Sequence, residues 1–147
     1  MKNSVLAFIV LVCTCVLAIA GGKVGWDDDY EKSLAKGKTE SKMVLLDFTG
    51  SDWCGWCIKL DKEVFSQKAF KDYAKDNLVL VELDFPQSKS QTKKLKEQNE
   101  KLSKEYNVQG YPTIIVLDSE GKKLGQLGYL EGGPDAFIAE LNKLKGK

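Results

Sequence analysis

The order of apolar and polar segments predicts an α/β protein with a small mixed sheet. Two apolar runs, residues 43–48 and 78–84, lack polar alternation, which is typical of strands covered by helices on both faces. A helical pattern separates these runs, so a crossover connection should make the two strands parallel. A third run, TIIVLD, is followed by the tight turn DSEGKK and a fourth run, which indicates an antiparallel hairpin.

The first three helices have recognisable starts and ends. Residues 26–36 predict a short helix with acidic residues in its first turn, closed by Gly37. In the second helix, which begins at the cysteine pair, four buried-type residues recur at helical spacing: Cys57, Leu60, Val64 and Phe65. Ser66 is expected to break this helix and to cap a third one, QKAFKDYAKDN.

Two further helices complete the pattern. The lysine- and glutamine-rich segment 88–107 is typical of a helix whose charged side faces solvent. The last helix follows Gly132 and Gly133 and has Pro134 in its first turn, where no backbone N–H is needed. With 43% hydrophobic residues, the chain of 147 residues is sufficient for one domain with its own core.

The N-terminus has the three parts of an export signal. Lys2 supplies a positive charge, residues 5–17 are apolar, and Ala18-Ile19-Ala20 forms a cleavage pattern. We therefore expect a signal peptide over residues 1–20 and a single domain over residues 21–147.

Two alternatives to cleavage stay open. The leader can remain as a membrane anchor, although its apolar run is short for a spanning helix. It also contains Cys13 and Cys15, so lipidation of the leader is the second alternative. Export places the protein in the periplasm or outside the cell, where disulfides form.

The composition excludes several classes of function. The 22 basic residues are all lysine and nearly balance 21 acidic ones, so the chain lacks the basic footprint of a nucleic-acid-binding protein. The chain contains no histidine, which excludes Ser-His-Asp and Cys-His sites and most zinc or haem sites. We expect a monomer that needs neither a metal nor an external cofactor.

The pair Cys54 and Cys57 has three possible interpretations. A structural staple is a poor choice, because a bridge across so short a loop removes little entropy from the unfolded chain. A metal site is poorly supplied, because a closed zinc site needs about four ligands and the rest of the mature chain offers no further cysteine or histidine. Redox chemistry is the third interpretation.

The residues around the pair favour redox chemistry. Cys54 opens a helix, where unpaired N–H groups and the helix dipole favour its thiolate. Cys57 follows almost one turn later, within reach of the first sulfur. Gly55 lets the backbone run close to an incoming chain. Because Trp53 and Trp56 flank an exposed nucleophile, an apolar platform for substrate is favoured over simple core packing.

Two stretches, DFTGSDWCGWC and YNVQGYPTIIVLDSEGK, make the chain resemble the thioredoxin superfamily. The resemblance covers about residues 43–144 and consists of W-C-x-x-C at a strand–helix junction and G-x-P-T before a strand. Among exported members, the chain is similar to the C-terminal thioredoxin-like domain of the bacterial transmembrane disulfide reductant. The resemblance implies a thioredoxin fold, a four-stranded mixed sheet built as βαβ and then ββα with helices on both faces.

The resemblance also implies a substrate-binding turn at Pro112. It implies a cis peptide bond before Pro112, and it gives Tyr111 the part of offering its backbone to the substrate strand. Pro112 at the first residue of a strand removes no donor from the sheet. Together with Trp53, Gly55 and Trp56, these residues form the expected substrate-binding set.

Two carboxylates are candidates for the proton transfer. Asp47 interrupts an apolar strand, so burial should raise its pKa and let it accept the proton of Cys57; the alternative is a strand-end acid that reaches solvent. The resemblance supports Asp47, although in thioredoxins the matching aspartate stands one residue nearer to the first cysteine, and Glu82 replaces a lysine that commonly neighbours it. Asp61 matches an acidic position of the reductant domain and either shares the proton transfer or faces water.

The dipeptide between the cysteines favours a reductant. Oxidants and isomerases of the family often carry a histidine there, which stabilises the thiolate and hence the reduced form. Gly55 and Trp56 stand there instead, so we predict a reductase of extracytoplasmic protein disulfides, with a redox-active Cys54–Cys57 disulfide. Its partners are substrate proteins with disulfides and an unidentified electron-donor protein. A disulfide isomerase and a non-catalytic peptide-binding module stay open as alternatives.

Overall fold

The mixed sheet is present in the computed structural model, which describes residues 23–146. Its strands are β1 (Met43–Thr49), β2 (Leu78–Asp84), β3 (Thr113–Leu117) and β4 (Lys123–Leu127). They lie in the order β2-β1-β3-β4, with β1 parallel to β2 and antiparallel to β3, and with β3 antiparallel to β4. The predicted thioredoxin fold is therefore confirmed. The predicted leader, residues 1–20, lies outside the described residues.

Helices cover both faces of the sheet. Within the described region they are α1 (Tyr30–Glu40), α2 (Gly55–Leu60), α3 (Lys68–Asn77), α4 (Lys93–Glu105) and α5 (Gly133–Lys145). Helices α1 and α4 pack on one face, and α2, α3 and α5 pack on the other. Because β1 lies between two strands and under helices on both faces, it is buried along its whole length.

Each face of the sheet has its own core. Successive residues of β1 point to opposite faces, so Leu45 and Asp47 point to the same side. That side carries α2, α3 and α5, and its core is built from Leu45, Leu60, Phe65, Phe70 and Phe137, among others. The opposite core includes Val44, Leu46, Phe48, Leu83 and Leu102. The alternation thus places Asp47 on the face covered by the cysteine helix.

The first helix differs from its prediction at both ends. It begins at Tyr30 rather than near residue 26, because Asp29 is the N-cap and its carboxylate accepts the backbone N–H of Lys32 at 3.1 Å. It also runs through Gly37 to Glu40. Gly37 is there for packing, since a Cβ at this position would lie 2.6 Å from a methyl group of Val44.

The prediction that Ser66 caps the third helix is wrong. Residues Asp61–Phe65 continue α2 as one π-helical turn, and the N–H of Ser66 closes it on the carbonyl of Asp61 at 2.8 Å. Helix α3 then begins at Lys68, after Gln67. The Ser66 hydroxyl instead donates to the Asp61 carboxylate at 2.9 Å, so it binds back to the turn that it ends.

The segment before α1 runs along the outer edge of β2. Asp27 donates its N–H to the carbonyl of Leu80 at 2.9 Å and accepts the N–H of Glu82 at 2.8 Å. Trp26 packs against Phe65 with ring centroids 5.0 Å apart. This segment therefore holds Lys23 beside the π-helical turn.

Candidate active site

The two cysteines lie at the start of α2, after the loop that follows β1. Cys54 is the N-cap of α2 and has an extended backbone, and Cys57 lies in the first turn of the helix. They form a disulfide with an S–S distance of 2.15 Å and a Cα–Cα distance of 5.2 Å. The backbone N–H of Cys57 donates to the Cys54 sulfur at 3.2 Å. A helix-terminal N–H aimed at this sulfur would stabilise a thiolate there.

The cysteines are less exposed than the sequence predicts. The expectation of an exposed Cys54 is wrong for the disulfide form, in which Cys54 is 6% and Cys57 5% exposed. The Cys54 sulfur is covered because it is bonded to the Cys57 sulfur and accepts the Cys57 N–H. The exposed surface beside the disulfide is therefore formed by neighbouring side chains, among them Trp53 and Trp56.

Trp53 is held in a fixed orientation beside Cys54. Its indole lies on Gly50, where a Cβ would come within 2.5 Å of the ring. Its indole N–H donates to the carbonyl of Phe85 at 2.8 Å, and its ring meets Tyr111 edge-on at 5.8 Å between centroids. Trp53 is nevertheless 42% exposed. It is therefore an anchored but accessible apolar surface.

Hydrogen bonds hold the loop before the cysteines against the end of β2 and the loop that follows it. Asp84 accepts both the N–H and the hydroxyl of Ser51, at 2.9 and 2.6 Å. Asp52 accepts the N–H groups of Gln87 and Ser88, at 3.0 and 2.7 Å, and these bonds hold the pKa of Asp52 below its ordinary value. These hydrogen bonds connect the position of Cys54 to the end of β2.

The peptide bond between Tyr111 and Pro112 is cis, as predicted. The Tyr111 ring lies between Trp53 and Phe85, with a centroid distance of 5.2 Å to Phe85. The next residue, Thr113, begins β3 and donates its hydroxyl to the carbonyl of Gly110 at 2.7 Å. The turn thus joins the aromatic group on the Trp53 side of the disulfide.

Trp56 belongs to a second aromatic group. It is 58% exposed and its ring lies 5.1 Å from that of Tyr129. The Lys59 ammonium lies over both rings, 5.1 Å from the Trp56 centroid and 4.8 Å from the Tyr129 centroid. The Tyr129 hydroxyl donates to Glu63 at 2.5 Å, and this bond raises the pKa of Tyr129. Charged neighbours therefore surround this aromatic pair.

Asp47 is buried, not at a solvent-reaching strand end. Only 4% of the residue is exposed, and one carboxylate oxygen has no hydrogen-bond partner within residues 23–146. Burial raises its pKa from 3.8 to about 7, with smaller contributions from Glu82, Asp61 and Asp84, while Lys23 opposes the shift. The prediction that burial raises this pKa is confirmed.

Asp61 and Glu82 have different surroundings from Asp47. The side chain of Asp61 is 41% exposed, pairs with the Lys23 ammonium and accepts the hydroxyl of Ser66. Glu82 is the register partner of Asp47 on the neighbouring strand, and burial raises its pKa. Asp61 therefore neither stands free in water nor lies buried without a partner.

Comparison with known proteins gives the family. A model of the thioredoxin-like domain matches residues 30–145. The chain belongs to the thioredoxin-like domain family. The Cys54–Cys57 disulfide occupies the W-C-x-x-C position of this thioredoxin-like domain.

Several relatives are thiol-disulfide oxidoreductases of the Dsb type. The chain is 37% identical over 123 residues to the disulfide bond reductase DsbH of Chlamydia pneumoniae, covering 84% of this chain and 74% of the relative. It is 32% identical over 109 residues to the thiol:disulfide interchange protein DsbD of Actinobacillus pleuropneumoniae, covering 72% of this chain but only 17% of the relative. The chain therefore corresponds to a small part of DsbD.

Solved structures agree with this placement. A structure of DsbH oxidoreductase matches with a TM-score of 0.78 and 31% identity, covering 97% of this chain and 94% of that one. The oxidised C-terminal domain of DsbD from Neisseria meningitidis matches with a TM-score of 0.57 and 20% identity, covering 77% and 90%. At that identity the second match supports the shared fold alone.

Sequence reasoning missed several neighbours of the thioredoxin-like site. Phe85, Tyr129 and Lys59 complete the aromatic groups, and Lys23 completes the carboxylate group. Nothing in the local pattern singles out Tyr129 or Lys23, because tertiary packing brings them to the site. Within residues 23–146, no group of three or more His, Cys, Asp or Glu side chains is arranged to hold a metal ion. In the same range, no helix has the length and apolar character needed to cross a membrane.

Proposed function

We propose that the protein is a reductase of extracytoplasmic protein disulfides that acts through the Cys54–Cys57 dithiol. The observation that carries the proposal is the Cys54 sulfur at the N-cap of α2, bonded to Cys57 and accepting its N–H at 3.2 Å. The same N–H would stabilise the Cys54 thiolate after reduction. The relative named disulfide bond reductase supports this direction of reaction.

The reaction proceeds by two thiol–disulfide exchanges. The Cys54 thiolate attacks one sulfur of the substrate disulfide, which forms a mixed disulfide and releases the other substrate sulfur as a thiolate. Cys57 then gives its proton to a carboxylate and attacks the Cys54 sulfur, and the second substrate thiolate leaves. The substrate gains two electrons and the dithiol loses two. An electron-donor protein must afterwards restore the dithiol.

Asp47 is the carboxylate that we assign to the Cys57 proton. A proton acceptor works best when its pKa lies near the working pH, and that of Asp47 is about 7. Asp47 also points to the face of the sheet that carries α2, and it has an oxygen without a partner among the described side chains. Asp61 already binds Lys23 and Ser66, so its part is supporting.

The surface around the disulfide suits an extended protein segment. Trp53 and Trp56 are exposed on either side of the cysteines, and a Cβ at Gly55 would meet nothing within 4 Å. A substrate backbone can therefore approach the helix start between two apolar rings. We assign Tyr111 and the cis Pro112 to the backbone contacts of that segment.

The direction of electron flow follows from the absent histidine. No cation stands between the cysteines to stabilise the thiolate, which leaves the disulfide form comparatively stable. A stable enzyme disulfide means a strongly reducing dithiol. We further propose export by the leader over residues 1–20, leaving one domain, residues 21–147, that works as a monomer in the periplasm or outside the cell.

Replacement of Cys57 by serine tests the mechanism. The Cys57→Ser variant should accumulate covalent complexes with substrate proteins, because Cys54 still attacks and nothing expels the bound partner. These complexes are detected on non-reducing gels and disappear with a reductant. Cys54→Ser is the matched control and should trap none. If Cys57→Ser traps no partner, from cells or from a model disulfide protein, the mechanism is wrong.

A peptide-binding module is the second candidate, favoured by the exposure of Trp56 and of Ile58 at 58% and 50%. Such a module would not need its thiols. A variant with both Cys54 and Cys57 replaced by serine therefore separates the two functions. Rescue of a deletion strain by this double variant would favour the binding module, and failure to rescue would favour the enzyme.

A further inference from the structure

Three carboxylates lie behind the cysteine helix: Asp47, Asp61 and Glu82, which we call the carboxylate cluster. Asp47 and Glu82 are register partners on parallel strands, which lie about 5 Å apart in such sheets. Asp61 follows one turn after Cys57 and donates its backbone N–H to the Cys57 carbonyl. Neighbouring carboxylates disfavour one another's ionisation, so a cluster that must accept a proton near neutral pH needs a cation.

Lys23 supplies that cation. Its ammonium pairs with Asp61 and lies 4.2 Å from the ring centroid of Trp26 and 4.7 Å from that of Phe65. Its side chain is only 21% exposed, so water screens this charge poorly. The same charge lowers the pKa of Asp47 and of Glu82, against the effect of their burial.

The position of Lys23 is determined by the segment before α1. The N–H of Trp26 donates to the Lys23 carbonyl at 3.0 Å, and Trp26 in turn packs on Phe65 of the π-helical turn. Asp27 binds the edge of β2 on both sides of Val81. Lys23 is thus anchored to the two elements that carry Glu82 and Asp61.

We propose that Lys23 is a positioning residue of this site, the counter-cation that keeps the carboxylate cluster able to accept the Cys57 proton. The inference rests on the proposed dithiol reaction. It adds that a lysine outside the sheet and the cysteine helix controls the ionisation of the carboxylate cluster. With Lys23 present, Asp47 is ionised in a large fraction of molecules, takes the thiol proton and becomes neutral. The Cys57 thiolate then attacks Cys54. Without Lys23, Asp47 holds its own proton in most molecules near neutral pH, so it accepts the Cys57 proton less often.

The groups that face Asp47 come from several elements. Glu82 and Asp84 lie on β2 and Asp61 on the π-helical turn, and Lys23 is the cation among them. The neighbour of Asp47 on β3 is Ile114, which is apolar. A change at Lys23 should therefore appear as a change in the pH dependence of the step that uses Asp47.

The test separates the two chemical steps. Reduced protein is mixed with dipyridyl disulfide in a stopped-flow instrument over a range of pH. Attack by Cys54 releases the first thiopyridone and attack by Cys57 the second, so the second phase reports the proton transfer. Lys23→Met removes the charge and keeps an aliphatic contact with the rings. Lys23→Arg keeps the charge, and Lys36→Met removes an exposed lysine of α1 as a matched control.

The second phase should have a pH midpoint near 7 in the wild-type protein, set by Asp47. In Lys23→Met we expect this midpoint to rise by on the order of one pH unit, which makes the second phase roughly fivefold slower at pH 7. Lys23→Arg and Lys36→Met should follow the wild type. In an Asp47→Asn background, Lys23→Met should shift the midpoint no further.

Several results would overturn the inference. One is a second phase in Lys23→Met that superimposes on the wild-type profile, and another is the same shift in the Asp47→Asn background. If Lys23→Met melts at a much lower temperature than the wild type, the Lys23→Arg variant decides the question. Lys23→Arg keeps the positive charge, so a pH profile of its second phase that differs from the wild-type profile would contradict the proposal. Absence of both phases in the wild-type protein would instead contradict the proposed dithiol function.

Discussion

At the scale of one residue, the burial of Asp47 serves the proposed reaction but lowers the stability of the folded protein. A carboxylate inside an apolar core disfavours folding in its charged form, and an unpaired oxygen adds to that cost. The same burial brings the pKa to about 7, where the group can both take and release a proton. We therefore expect this residue to lower the free energy of unfolding while serving the reaction.

The Asp47→Asn variant tests this conflict through pH. The folded state keeps the Asp47 proton up to about pH 7, whereas the unfolded chain loses it near 3.8, so stability falls as pH rises through this window. The amide carries no charge and should remove the fall. We expect the variant to be more stable than the wild type above pH 7, by on the order of 2–4 kcal/mol, and about equally stable near pH 4.

Urea unfolding of the disulfide form at several pH values measures this difference. Asp76→Asn is the control, since Asp76 lies exposed on α3. Its stability difference from the wild type should stay small and constant across the same range. An Asp47→Asn variant whose stability difference does not change with pH would show that folding does not raise the pKa of Asp47.

At the scale of elements, two glycines in helices have opposite surroundings. Gly37 lies inside α1, where an added Cβ would come 2.6 Å from a methyl group of Val44 and 3.2 Å from the carbonyl of Lys42. Gly55 is the first residue of α2, and a Cβ there would meet nothing within 4 Å. Helix packing against the sheet explains the first glycine. The second faces open space, on the side that we propose for the substrate.

Substitution by alanine should therefore have opposite effects at these positions. Gly37→Ala is expected to destabilise the protein by about 1–2 kcal/mol, because the steric overlap outweighs the better helix propensity of alanine. Gly55→Ala should be neutral or stabilise α2 by about 0.5–1 kcal/mol. Thermal and urea unfolding measure both. A tolerated Gly37→Ala would mean that α1 and Val44 can move apart at little cost.

At the scale of the whole molecule, the disulfide joins residues that the fold already holds together. The loop it closes is short, so the bond adds little stability through the entropy of the unfolded chain. Any difference in stability between the oxidised and reduced forms therefore reports how folding shifts the dithiol–disulfide equilibrium. That shift is the quantity that distinguishes a reductant from an oxidant.

We expect the oxidised protein to melt at a higher temperature than the reduced protein, by several degrees. The reason is that no cation between the cysteines stabilises the reduced form. Calorimetry of the two forms measures the difference, and equilibration with glutathione gives the potential independently. If the reduced form melts higher, the protein is an oxidant and the direction proposed here is reversed. The Cys54→Ser/Cys57→Ser variant is the control, and its melting temperature should be the same with and without reductant.

The sheet and the reactive pair could be predicted because their signals are local. The apolar runs of β1 and β2 appear in the sequence as unbroken segments, since both faces of each strand are covered. Cys54 and Cys57 are close in sequence, so helix geometry alone brings their sulfurs together. The place of Asp47 in such a run left both a buried acid and a solvent-reaching acid open, and the tertiary structure decided for burial. Errors arose where one residue type can have two structural roles. Gly37 was predicted to end a helix, but it allows α1 to pack closely against Val44.

The chain by itself thus determined the order of the elements, the fold family and the dithiol. Tertiary structure alone decided which distant residues surround them: Phe85 and Tyr111 beside Trp53, Tyr129 and Lys59 beside Trp56, and Lys23 beside Asp61. The physical reason is range. Propensity and periodicity act over a few residues, whereas ion pairs and ring contacts depend on where the folded backbone returns to the same point in space.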